Sequence, residues 1–128
     1  MQRALLISLG GALGTLLRYL TAVAAARWLA PDFPYSTLIV NLTGSFLIGV
    51  VQVLGAEALM IPNDARLVLA TGVMGGLTTY SAFSYETVHL MEVGAWPQAA
   101  INIVVTTLAC LTLCFLGVSV GRLLVGAR

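Results

Sequence analysis

Lysine is absent from the chain, and its six arginines stand against five acidic residues for a formal net charge of +1. No basic stripe exists to neutralise a phosphate backbone, so nucleic acid is not the partner. A single histidine and two cysteines supply no ligand cluster for a transition metal, and no nucleophile is accompanied by a base, so catalysis has no constellation to stand on. The run Gly10-Gly11-Ala12-Leu13-Gly14 follows no strand and opens no dinucleotide-binding unit. Charge of either sign is scarce: at 9% of 128 residues it cannot cover a water-exposed surface, which excludes a soluble fold.

What remains is apolar: 59% of residues are hydrophobic and mean hydropathy is +1.00. A bilayer core takes about 20 helical residues to cross. Four such segments, over 4–26, 36–60, 66–91 and 97–124, use nearly the whole chain as one all-α integral membrane domain. The first run is too long for the apolar core of a signal peptide and reads as a retained span. Pro31 and Pro34 end it, Ser36 is placed to cap the second, Pro62, Asn63 and Asp64 close the second, and Arg122 and Arg128 mark a water interface. An even number of spans puts both termini on one side. Arg3, Arg66, Arg122 and Arg128 gather there against Arg27 opposite, which favours termini in the cytoplasm. Cys110 and Cys114 lie one turn apart and read as small packing residues rather than a metal or redox pair. The glycine pairs 10/14, 72/76 and 117/121 have helix-packing spacing. No internal repeat is evident, so any inverted symmetry comes from a second chain.

In a bilayer the informative residues are polar ones, because they need partners there. Asn41 lies inside the second span, which excludes glycosylation of its sequon, and its amide can serve an anion or an interhelical hydrogen bond. The stretch 71–84 of the third span combines three glycines with five Ser or Thr hydroxyls. It is either a poor helix that breaks near Gly75 to Ser81, or a glycine-rich packing face whose hydroxyls bond back one turn. A break frees carbonyls, which suit a cation, and opens a helix amino end, which suits an anion. Tyr80 and Phe83 share a face beside a Ser81 and Ser84 stripe; ring edges are electropositive and can meet a small anion without trapping it. Glu86 fits a pore mouth or a partner for Arg18, and Arg18 fits that pair, a vestibule, or snorkelling to the interface.

The residues that carry a resemblance are Gly10–Gly14 with Arg18-Tyr19, then Ser36-Thr37-Leu38-Ile39-Val40-Asn41 with Gly44-Ser45-Phe46, then Gly75-Gly76-Leu77-Thr78-Thr79-Tyr80-Ser81-Ala82-Phe83-Ser84 with Glu86. In order, spacing and length the chain resembles the Fluc (CrcB-type) fluoride channels. The resemblance implies an antiparallel, dual-topology homodimer in the cell membrane, with the third helix broken near its middle and two narrow pores exporting fluoride passively. It further implies a structural sodium ion at the dimer centre held by the Gly75 and Thr78 carbonyls. Asn41, Tyr80, Ser81, Phe83 and Ser84 would face fluoride, with Arg18 and Glu86 as further polar groups. The family pattern usually has Phe where Tyr80 stands and a hydroxyl residue where Ala82 stands, so throughput is expected to differ while selectivity is kept. Thr106 and Thr107 are the fourth-helix candidates.

Two other classes compete. A small four-helix multidrug exporter needs a carboxylate deep in its first helix, where this chain has Arg18 and no acid. A non-transporting assembly subunit accounts for the glycine pairs but leaves Asn41 and the stretch 71–84 without a role.

Overall fold

The computed structural model describes residues 1–126, and these contain helices and turns only. The first span is α1 (Gln2–Trp28); the second is α2 (Tyr35–Gln52), which widens into a π-helical turn over Val53–Glu57. The third is assembled from α3 (Asn63–Leu67), a π-helical stretch over Val68–Met74, α4 (Gly75–Leu77) and α5 (Tyr80–Glu92), and the fourth is α6 (Trp96–Gly126). Each of the four, from 23 to 31 residues, is long and apolar enough to cross a bilayer. The protein is a multi-pass membrane protein.

The helix ends differ from the sequence reading in ways the backbone explains. The second helix starts at Tyr35 behind Pro34, with no side-chain cap, so Ser36 does not cap it. The third span starts behind Pro62, and Asn63 and Asp64, expected to close the preceding span, form its first turn. There the Asp64 carboxylate complements the positive end of the helix dipole. Pro97 is accommodated in the first turn of α6, where an amide needs no helical partner. α5 ends at Glu92, and Gly94, two residues on with a φ of 80°, closes a reversal in which Ala95 N–H donates to Leu90 C=O and Gly94 N–H to Met91 C=O. Arg128 lies outside the described residues.

Glycines set how closely the spans approach. A Cβ on Gly14 would run into the Val73 carbonyl and one on Gly76 into the Gly11 carbonyl, so α1 and the first half of the third span touch backbone to backbone. On the other side of the bundle Gly117 meets the Phe46 carbonyl and Gly49 the Cys114 carbonyl, which seats α6 along α2. The pair in the third span is thus as much a packing device as the pairs in the first and fourth. Between these seams Val40, Val73, Met74 and Leu77 form a small buried core. Arg3 pairs with Asp64 at 2.8 Å and Arg122 with Glu57 at 3.1 Å, which ties both ends of the chain to the turn between the second and third spans. Arg27 lies at the opposite end, on the last turn of α1. α1 and α6 bury little of themselves; Leu13, Leu16, Leu108, Leu111 and Phe115 stay exposed.

Candidate functional site

The third span leaves helical geometry at two residues. Thr78 (φ −81°, ψ 156°) and Thr79 (φ −153°, ψ 112°) are extended, and α5 begins at Tyr80. The two glycines before them weaken the helix by backbone entropy, yet they keep helical geometry themselves, and threonine's β-branched backbone preference takes the bend. Asn41, on α2, holds it. Its Nδ2 donates to Thr79 C=O at 3.1 Å and its Oδ1 accepts from Thr79 N–H at 2.8 Å, so one amide answers both backbone groups of one residue. Gly44, one turn along α2, makes room for the Thr78 methyl.

The side chains of the bend complete it locally. Thr78 Oγ1 donates back to Met74 C=O, while Thr79 Oγ1 accepts from Ala82 N–H at 3.1 Å and so caps α5. These bonds divert the two amides that a continuous helix would send to Gly75 and Thr78: Thr79 N–H goes to Asn41 and Ala82 N–H to the Thr79 hydroxyl. The Gly75 and Thr78 carbonyls therefore lose their donors four residues on, and two freed carbonyls fit a hard monovalent cation, which takes oxygen ligands. Among the described residues no group of three or more His, Cys, Asp or Glu is placed to hold a metal, so such an ion would rest on backbone oxygens.

Beside the bend lies a cavity of about 480 Å³. Asn41, Gly75, Thr78, Thr79, Tyr80 and Phe83 line it together with Thr106, Thr107 and Cys110 of α6; no charged side chain lines it. The rings of Tyr80 and Phe83 are 5.5 Å apart between centroids and inclined at 48°. Tyr80 is 80% exposed whereas Phe83 is 9% exposed, so the first ring projects from the monomer and the second is set into it. Of the sequence-selected residues, Asn41, Gly75, Thr78, Tyr80 and Phe83 come together here. Ser81 and Ser84 do not line the cavity: Ser81 Oγ lies 3.2 Å from Thr79 Oγ1, and Ser84 donates back to Tyr80 C=O. Arg18 is half-buried on α1 with no hydrogen bond or ion pair to the other described residues, so it is not the partner of Glu86. Glu86 instead accepts from Thr37 Oγ1 at 2.7 Å, while its other carboxylate oxygen is buried without a partner. It lines a separate cleft of about 230 Å³ with Asp32 and His89. Thr79, Gly44, Ser45 and Thr37 entered the sequence reading only within the motifs that carry the resemblance and were given no role at the site. Their signal was present in the Thr78-Thr79 pair and in the spacing of Thr37, Asn41 and Gly44 along one face of α2.

Residues 5–118 match the family model described as "CrcB-like protein, Camphor Resistance (CrcB)". A relative from Anaeromyxobacter dehalogenans named fluoride-specific ion channel FluC is 48% identical over 126 residues, covering 98% of this chain and 100% of its own length. Proteins of the same name from Geobacter metallireducens (44% identical; 91% of this chain, 94% of its own) and Magnetococcus marinus (41% identical; 92% and 96%) are similar throughout.

Proposed function

The chain belongs to the CrcB family, and from that premise we propose that it is a fluoride channel that exports the ion passively across the cell membrane as an antiparallel homodimer. It is a channel rather than an enzyme. The observation that carries the proposal is the Asn41-clamped bend at Thr78 and Thr79 opening onto an uncharged cavity, in a chain that shares nearly half its residues with a fluoride-specific channel over its full length.

Fluoride is small and holds water tightly, so a path must replace hydration with close donors yet bind weakly enough to release. Asn41 Nδ2 uses one N–H on Thr79 C=O and has a second for an anion. The amino end of α5 opens at Tyr80, where unpaired amides and the helix dipole favour negative charge. The ring edges of Tyr80 and Phe83 extend a weakly positive track, which Ser81, outside the cavity lining, would join only through its contact with Thr79 Oγ1, without an arginine to trap the ion. Ser84 contributes less, because its proton is engaged by Tyr80 C=O. Larger chloride is penalised by the narrowness of a donor-lined path.

The freed Gly75 and Thr78 carbonyls belong to the same reading. Gly75 is exposed and a Cβ there would meet nothing within 4 Å, as suits a residue on a face shared with a second copy. A sodium ion held by these carbonyls and their counterparts would supply fixed positive charge that joins the two bends. The apolar faces left open on the bundle would be covered partly by that copy and partly by lipid.

The test is growth. Cells stripped of their own fluoride export are expected to tolerate fluoride when they express this chain; sensitivity despite membrane insertion would contradict the proposal. Sodium is tested separately, by dimer stability in sodium against a large organic cation: equal stability in both would refute the ion's role.

A further inference from the structure

Ile48 is the last residue of α2 to line the cavity, and Ala70 is the first of the third span to do so. One turn beyond each, on the same faces, stand Gln52 and Arg66, and the two meet: Arg66 Nη1 donates to Gln52 Oε1 at 3.2 Å. The pair continues the two walls past the end of the cavity nearer the chain termini. A seat is built there for the arginine. A Cβ on Gly55, in the π-helical turn of the second span, would fall 2.6 Å from Arg66 Cδ, so the bare glycine gives the stem its place. Arg66 Nη2 donates to Asn63 Oδ1 at 2.9 Å. Both acceptors are neutral amides, and a guanidinium carries further N–H groups to offer an anion. The two acids at this end are engaged elsewhere: Asp64 pairs with Arg3 at 2.8 Å, and both Glu57 oxygens accept from Arg122 at 3.1 Å. Asp64 is close to Arg66 in the chain, but helix residues two apart do not face each other. Among the described residues no carboxylate pairs with Arg66, so the charge of this half-buried side chain is left uncompensated.

We propose that Arg66 is the anion-attracting charge at this mouth of the cavity: it raises the local concentration of small inorganic anions there and hands them on. Standing one turn outside a cavity that no charged side chain lines, it draws an anion in without holding it along the path. The ion pairs of Arg3 and Arg122 serve the same end, because each keeps a carboxylate from cancelling the Arg66 charge. The proposal rests on the fluoride-channel reading for what passes. Its ordinary competitor is that Arg66 only locks the turn between the second and third spans through Gln52 and Asn63.

Ionic strength separates the two, because salt screens a charge at a mouth and leaves a structural lock untouched. Fluoride efflux from liposomes is followed for wild type and variants recovered as dimers, at about 1 mM fluoride in about 10 mM and about 500 mM potassium isethionate, which shortens the screening length from about 30 Å to about 4 Å. Arg66→Gln is expected to lower the rate about threefold or more in the dilute salt and to come within about 1.5-fold of wild type in the concentrated one. Arg66→Lys keeps the charge but cannot fork to both amides, and should stay within about twofold of wild type in either salt. Arg3→Gln releases the Asp64 carboxylate at the same mouth and should slow efflux in dilute salt only; adding Asp64→Asn should restore the rate. A loss in Arg66→Gln that is equal in both salts, Arg66→Lys as slow as Arg66→Gln, or a wild-type rate for Arg66→Gln in dilute salt would overturn the proposal. Should Arg66→Gln not assemble, Arg66→Lys and the Arg3 and Asp64 variants decide it alone. Wild type that releases no fluoride sinks the channel reading instead, and this inference with it.

Discussion

At Thr79 both backbone polar groups face the Asn41 amide, 38 positions earlier in the chain. Replacing Asn41 by Ala would leave a buried N–H and a buried C=O unpaired, at about 1–3 kcal/mol for each group. Thermal unfolding in detergent should therefore show Asn41→Ala strongly destabilised and its fluoride release lost; a melting point at the wild-type value would contradict the clamp. Thr79→Ala removes the cap on α5 and should cost about 1 kcal/mol, whereas Thr79→Ser keeps an acceptor and should cost less. Equal losses in the two variants would show that the hydroxyl does not cap the helix. Asn41 was legible in the sequence because an amide inside a membrane span must find a partner. That partner was not, because it is a backbone group, and backbone groups carry no letter in the sequence. Ser84 is the opposite case: its helical spacing placed it on an anion-facing stripe, and here its hydroxyl bonds back one turn to Tyr80 C=O, as hydroxyls in helices commonly do.

Among the elements, the third span carries the most information. Its glycine and hydroxyl composition marked an interruption anywhere from Gly75 to Ser81, and the extended residues are Thr78 and Thr79. The glycines serve a second purpose, the close helix approach that the spacing of Gly72 and Gly76 had indicated as it did for the pairs in the first and fourth spans. Gly14→Ala and Gly76→Ala would each drive a methyl into a facing backbone carbonyl, and overpacking of that kind costs about 1–3 kcal/mol. Gly75→Ala, with open space around it in the monomer, should leave the bundle's own stability unchanged and lower dimer content instead. Chemical unfolding together with sizing in detergent checks both; a Gly75→Ala protein that loses helix stability as Gly76→Ala does would contradict this division of roles. The π-helical stretches over Val53–Glu57 and Val68–Met74 were not legible. A widened turn changes the hydrogen-bond register without demanding any particular residue type, so an apolar run reads the same in either register.

For the whole molecule, four spans followed from composition and from prolines at the boundaries, because a chain this poor in charge has few other folds open to it. The relative order of packing did not follow. It depends on which glycines oppose which carbonyls, and Arg122 finding Glu57 across 65 positions is a consequence of that packing rather than a cue to it. The exposed apolar side chains of α1 and α6 and the projecting ring of Tyr80 describe half of an assembly in the proposed reading. The central claim, that this assembly passes fluoride and rejects larger halides, is tested most directly by reconstituting the purified dimer into liposomes loaded with both anions and following their release electrochemically. Fluoride leaving rapidly while chloride is retained is the predicted result; retention of fluoride by verified dimer, or equal release of the two ions, would contradict it.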